Sequence, residues 1–216
     1  MSDVSFLRQI KSVHIIGAGL NQERPAHRAF IDMKGRGYRM VPVHPRDAGS
    51  TIQGVPILPH PWASVDPELF VIFLSPERTL GLLRKWVVSN RNTPFIWLQP
   101  GAESDDILEF LNEAGIPHSS GKCWVVTCIQ NDISCEDPLP KVPWVLQTTS
   151  TDGDHCSVWR YFPPGTDLNL DEPLEWVGDL MDLRSSDERI PRYIRSLCQD
   201  GESLAETAQR LAIPPS

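Results

Sequence analysis

Through roughly the first 130 residues, short apolar runs alternate with longer segments whose apolar positions recur every three or four residues. The runs at 13–16, 39–43, 69–74 and 95–98, with a weaker one at 123–126, read as strands buried on both faces of a parallel sheet. The segments 25–34, 77–89 and 104–114 read as helices. The last opens with Ser104 as an N-cap before Asp105 and Asp106, and ends at Gly115. Strand and helix alternation predicts an α/β fold, a doubly wound parallel sheet of about five strands with ligands at the carboxyl ends of the strands.

The pattern changes twice. Between 45 and 68 the prolines Pro56, Pro59, Pro61 and Pro67 exclude a full crossover helix and leave room for one turn near 63–65. Near residue 131 the chain becomes rich in proline and acid, so 131–143 reads as a linker or a surface excursion. Two strand-like runs, 144–149 and 156–162, flank the turn signal of 150–155 and predict a β-hairpin. From about residue 172 the tail reads as two or three helices, with a capping box at Ser203 and Glu206. The division expected is a ligand-binding domain over 1–131 and an accessory extension over 132–216.

Charge follows the same division. The net charge is −8, but residues 1–131 hold 13 basic against 12 acidic side chains and residues 132–216 hold 7 against 16. The first 50 residues carry 8 against 4, which suits a small anionic ligand near the front of the chain. The segment 201–214 resembles the opening of a helix-turn-helix. However, residues 171–216 carry 10 acidic against 5 basic side chains and the sequence stops at Ser216, so nucleic acid is not the expected partner. A terminal amphipathic helix with Tyr193, Ile194, Leu197, Leu204, Ala208 and Leu211 on its apolar face, docked on the body or on a second subunit, is expected instead. No apolar stretch approaches a membrane span, and the amino terminus lacks a secretory pattern. The five cysteines form no disulfide framework and read as reduced thiols of a cytoplasmic protein.

The candidate chemistry lies in Ile15-Ile16-Gly17-Ala18-Gly19-Leu20-Asn21-Gln22-Glu23-Arg24-Pro25. An apolar run ends in glycine and a proline opens the following helix, so backbone N–H groups and the positive end of that helix face the loop. Arg24 and Arg28, four residues apart, can both address a phosphate there. Gln22 stands where a dinucleotide fingerprint has its third glycine, and the second strand ends in Val43-His44-Pro45 with no acid for a ribose hydroxyl. Ordinary NAD binding is disfavoured on both counts.

Residues 6–130 resemble the stand-alone CoA-binding domain family, related to the N-terminal domain of succinyl-CoA ligase alpha subunits. The segments that carry the resemblance, in order, are Gly17 to Pro25 with its Glu23-Arg24-Pro25 ending, Gly37 to Pro45, Phe73-Leu74-Ser75-Pro76-Glu77, and Ile96-Trp97-Leu98-Gln99-Pro100-Gly101. Departures are Gly17-Ala18-Gly19-Leu20 where Gly-Leu-Ser-Asp is common, His44 where Asn is usual, and Gly121-Lys122-Cys123 for Asp-Arg-Cys. The resemblance implies a Rossmann-like fold that binds CoA or an acyl-CoA. It implies Gly17, Ala18, Gly19, Leu20, Asn21 and Arg24 at the pyrophosphate, with Arg28 added by the helix reading. Val43, His44, Pro45, Ser75, Pro76, Glu77 and Arg78 would line the adenosine. Gln99, Pro100 and Gly101 would edge the pocket.

Ligase chemistry of the succinyl-CoA type would need a second domain with a phosphorylatable histidine, which 132–216 does not resemble. No acid/base pair or Ser-His-Asp set stands out, so the expected role is binding without catalysis. Cys123, Cys128, Cys135 and His118 lack metal-knuckle spacing and read as structural thiols, with a mixed disulfide between Cys123 and the CoA thiol as the lesser reading. Two rival functions stay open: a module for another adenine nucleotide such as NAD(P) or an acyl-adenylate, and a regulatory or interaction protein with a degenerate pocket. The extension would then serve oligomerisation or partner contact.

Overall fold

A computed structural model describes residues 3–149, 156–170 and 174–213. The elements follow in order: α1 (Asp3–Gln9), β1 (Ser12–Ile16), α2 (Pro25–Met33), β2 (Arg39–Val43), β3 (Thr51–Ile52), β4 (Val55–Pro56), β5 (Leu69–Ile72), α3 (Pro76–Val88), β6 (Phe95–Leu98), α4 (Asp105–Glu113), β7 (His118–Ser119) and α5 (Trp124–Gln130). Then come β8 (Trp144–Thr149), β9 (Ser157–Phe162), β10 (Leu174–Asp179), α6 (Leu180–Ser185), α7 (Arg189–Ser196) and α8 (Leu204–Leu211).

Five parallel strands form one sheet in the order β2-β1-β5-β6-β7. The fold is α/β and Rossmann-like, as the alternation predicts. Every residue of β1 and β5 is buried, because helices cover both faces. On one face Val13, Ile15, Val71 and Trp97 pack with Phe30 and Met33 of α2 and with Trp124 and Cys128 of α5. On the other, Ile16, Phe70, Ile72 and Leu98 pack with Leu83 and Trp86 of α3 and Leu111 of α4. The connection at 45–68 forms the small β3–β4 hairpin and a 3-10 turn at Pro61–Ala63, close to the single turn expected. Leu58 then runs parallel to the outer margin of β2, donating its N–H to Pro42 O (2.9 Å) and accepting from His44 N (3.0 Å).

The run 123–126 is a correction: the fifth strand is the short β7, and Trp124 opens α5. Trp124, Val125 and Cys128 are buried while Val126 and Ile129 are exposed, a helical pattern that a four-residue window does not reveal. Ser104 does stand at the N-cap of α4, though its side chain makes no capping bond.

Of the two readings of 131–143, the structure has the surface excursion, a strap bonded to the parallel-sheet domain. Cys135 N donates to Arg36 O, Glu136 N donates to Arg8 O, and Lys11 pairs with Asp137. β8 and β9 form the expected antiparallel pair, its turn at 150–155 lying outside the described residues. The tail differs from the all-helical expectation, because β10 pairs antiparallel with β8 before α6, α7 and α8 begin. Side chains alternate across this second sheet. Leu146 and Val177 join the core over the parallel sheet, whereas Val145 and Trp176 pack with Trp159, Leu183, Ile194 and Ala208 beneath the three helices. On the expected terminal helix face Ile194 and Ala208 are buried and Leu197, Leu204 and Leu211 half-buried, but Tyr193 points outward and is 60% exposed. The Ser203–Glu206 capping box forms, with Ser203 N donating to Glu206 Oε2 at 2.8 Å. No described helix is long and apolar enough to cross a membrane.

Candidate functional site

β1 has β2 on one side and β5 on the other, so the crossovers leave β1 in opposite directions and open a crevice at its carboxyl end. The glycine loop occupies that crevice. Gly17 takes φ +102°, a conformation that suits glycine, and its N–H donates to Val43 O at 2.8 Å. Phe73 N donates to Ile16 O at 3.0 Å on the other side, and a side chain at Gly17 would face Phe73 and Leu74 at about 3.5 Å. Strand ends of β1, β2 and β5 are thus tied together around the loop.

From there the chain turns into α2. Asn21 Oδ1 accepts from Glu23 N (3.0 Å) and Asn21 O accepts from Arg24 N (3.1 Å), which closes the turn before Pro25 at the first helical position. The N–H groups of Gly19, Asn21 and Gln22 carry no hydrogen bond to another described residue. Ala18 and Gly19 are buried; Leu20, Asn21, Arg24 and Arg28 are exposed. Arg28 Nε donates to Gln22 O at 3.3 Å, bracing the loop, while Arg24 stands at the N-cap with no capping bond.

The other expected residues lie at the carboxyl ends of the neighbouring strands. Val43 ends β2 and is buried, His44 is half-buried and Pro45 exposed. Ser75 caps α3 in an extended conformation and Pro76 begins that helix, with Glu77 and Arg78 exposed on its first turn. Gln99 follows β6 and is 3% exposed, and its amide nitrogen has no hydrogen-bond partner among the described residues. Its backbone N–H donates to Ile72 O, and Gly101 N donates to Glu103 Oε2 at 2.7 Å beyond it. The expected residues therefore share one edge of the sheet. Direct contact joins Gly17 to Val43 and Gly19 to His44, whereas no bond joins the Ser75–Arg78 turn to the glycine loop.

Two residues at the loop escape a reading by motif. His27, 6% exposed on α2, places Nδ1 2.7 Å from Gly19 O and fixes the loop from below. Asp47 folds back from the turn after β2, and its Oδ2 accepts from Leu20 N at 2.8 Å and lies 3.2 Å from His44 Nδ1. A side chain at Gly19 would collide with that carboxylate and stand 2.8 Å from the His44 ring. An acid two residues beyond Pro45 thus reaches the loop. The sequence signal was that aspartate, within a turn whose return path only the fold reveals.

A carboxylate oxygen held by the loop shows that the loop's N–H groups suit an anionic oxygen. Free N–H groups, a helix N-terminus and two exposed arginines fit a ligand with a phosphate group. Two cavities of about 420 and 460 Å³ lie elsewhere, where the extension meets the parallel sheet near Leu58 and Trp176 and near Tyr38 and Pro138.

Comparison with known proteins bears on the same region. Residues 11–128 match a family model described as a CoA binding domain. Among solved structures, cell-free ID.343 from Thermus thermophilus is similar at 27% identity and a TM-score of 0.53, covering 58% of this chain and 93% of its own. A hypothetical protein from Pyrococcus horikoshii OT3 shares the fold at 20% identity and a TM-score of 0.52, covering 58% of this chain and 87% of its own. The search of curated proteins found no match.

Proposed function

The chain belongs to the CoA binding domain family, and we propose that it binds CoA or an acyl-CoA at the carboxyl edge of its parallel sheet without a reaction of its own. The observation that carries this reading is the glycine loop at the β1/β5 crevice, inside the matched residues, with N–H groups at Gly19, Asn21 and Gln22 open to an acceptor. In this assignment Gly17 to Asn21 cradle the pyrophosphate, and Arg24 and Arg28 add charge at the start of α2. Val43, His44, Pro45 and the Ser75–Arg78 turn flank the adenosine. Gln99, Pro100 and Gly101 are assigned to the edge of the pocket beyond β6. The extension over 132–216 is assigned an accessory or self-association role.

Thermal-shift measurement with CoA, acetyl-CoA, NAD, NADP and ATP tests the reading, since a ligand that prefers the folded state raises apparent stability. Stabilisation by the CoA species is expected. A shift with NAD alone would transfer the site to another dinucleotide, and no shift with any ligand would favour an interaction protein. Arg24→Ala is expected to weaken CoA binding about tenfold, the scale of one charge-assisted bond to phosphate.

A further inference from the structure

Asp47 puts an anion of the protein's own on the loop assigned to the pyrophosphate. β2 ends at Val43, and the turn that follows carries Asp47 back until its Oδ2 accepts from Leu20 N at 2.8 Å. The backbone of that turn is anchored: Asp47 O accepts from Ser50 N at 3.2 Å, and Gly49 N donates to Ile57 O at 3.1 Å. The side chain is held more lightly. It is 27% exposed, and Oδ1 accepts no bond from a described residue. Its ion-pair neighbour among the described residues is His44, with Nδ1 3.2 Å from Oδ2. Gly19 admits this arrangement, since a Cβ there would stand 2.2 Å from Oδ2. The open donors lie on both sides of the occupied one: Gly19 N and Asn21 N flank Leu20 N in the chain, and neither donates to a described residue. A phosphate oxygen seated on them meets the Asp47 carboxylate beside it, and like charges that close repel. The loop offers its full set of N–H groups only once that carboxylate turns away, which takes a rotation of one side chain and no change of backbone.

We propose that Asp47 makes an autoinhibitory contact: its carboxylate holds the Leu20 N–H until the ligand's pyrophosphate displaces it, and so lowers the affinity for CoA. The inference rests on the CoA-binding reading above. The step exchanges one anionic acceptor for another, so Leu20 N–H is paired before and after, and the released carboxylate passes into water. Apparent affinity falls by the fraction of time the seat is free, so a carboxylate in place about nine-tenths of the time weakens binding about tenfold.

The test is isothermal titration of the full chain with CoA, for the wild type, Asp47→Ala and Asp47→Asn. Asp47→Ala is expected to bind about tenfold more tightly than the wild type. Asp47→Asn should gain about threefold, because its amide oxygen carries no charge but still accepts from Leu20 N–H. Affinity unchanged or weaker in Asp47→Ala overturns the inference. Equal gains in the two variants also overturn it, since they would reduce the effect to net charge without an occupied seat. A second measurement needs no variant: carbodiimide-driven labelling of carboxylates in the wild type, read by peptide mass spectrometry with and without CoA. Labelling of Asp47 should rise when CoA is added, and a fall or no change overturns the displacement. Where the wild type binds CoA and these expectations fail, only this inference is lost. If neither the wild type nor Asp47→Ala binds CoA, the CoA reading itself fails and this inference with it.

Discussion

Arg39, the first residue of β2, and Asp182 in α6 form a forked ion pair, with Nη2 2.9 and 2.8 Å from the two carboxylate oxygens. Arg39 Nε also donates to Asp179 Oδ2 at 2.7 Å, and Asp182 accepts from Ser64 Oγ and the N–H groups of Val65 and Asp179. Burial pushes both carboxyl groups up. The Arg39 charge and the added hydrogen bonds hold Asp182 below the usual aspartate value, while its neighbour's charge leaves Asp179 above it. This cluster fastens the extension to the parallel sheet.

Removing one partner of such a pair leaves a charge buried without its complement. Asp182→Ala is expected to cost about 3–5 kcal/mol. The cost includes its part in the capping box of α6, where its side chain accepts from Asp179 N. Urea titration reads this directly, and a loss under about 1 kcal/mol would show that the cluster contributes little to stability.

His14 supplies a pH prediction. It lies fully buried in β1 beside Phe70, both ring nitrogens lack partners among the described residues, and burial with the nearby Arg39 charge lowers its pKa from 6.5 to about 3. The unfolded chain takes up a proton below 6.5 that the folded chain refuses until about 3, so stability falls as pH drops through that window. This site alone should remove about 2 kcal/mol between pH 8 and pH 5. His14→Leu, close in volume, should flatten that part of the slope. Urea midpoints at the two pH values check it, and equal slopes for variant and wild type would refute the assignment.

Thiol labelling separates the cysteines. Cys156 and Cys198 are exposed, Cys123 is half-buried, and Cys128 and Cys135 are buried. Burial pushes the Cys128 thiol up to about 12, which suppresses its thiolate. A disulfide reagent should modify Cys156 and Cys198 first, Cys123 more slowly, and the buried pair only on unfolding. Early labelling of Cys128 would contradict the packing of α5.

Strand positions in the first half were legible because parallel strands covered on both faces must be apolar throughout, as β1 and β5 are. Gly17 and Pro25 marked the loop and the start of α2 for equally local reasons. The capping box at Ser203 was readable from two side chains. By contrast, β10 exists through its pairing with β8, and residues 174–179 alone show no signal to set against a helix. Asp47 belongs to the same class. Its role depends on a turn closing through space onto Leu20, 27 residues earlier.

The segment that carries Leu58 alongside β2 has a further meaning for the molecule's behaviour at high concentration. Pro42 offers no N–H to a neighbour, and its carbonyl is already taken by Leu58. At the opposite margin β7 is only two residues long. Neither border of the parallel sheet therefore presents a usable length of unpaired backbone, and recruitment of a stray strand from another chain is blocked at both ends. What this region leaves open to another chain is side-chain surface, such as the exposed Val126 and Ile129 on α5.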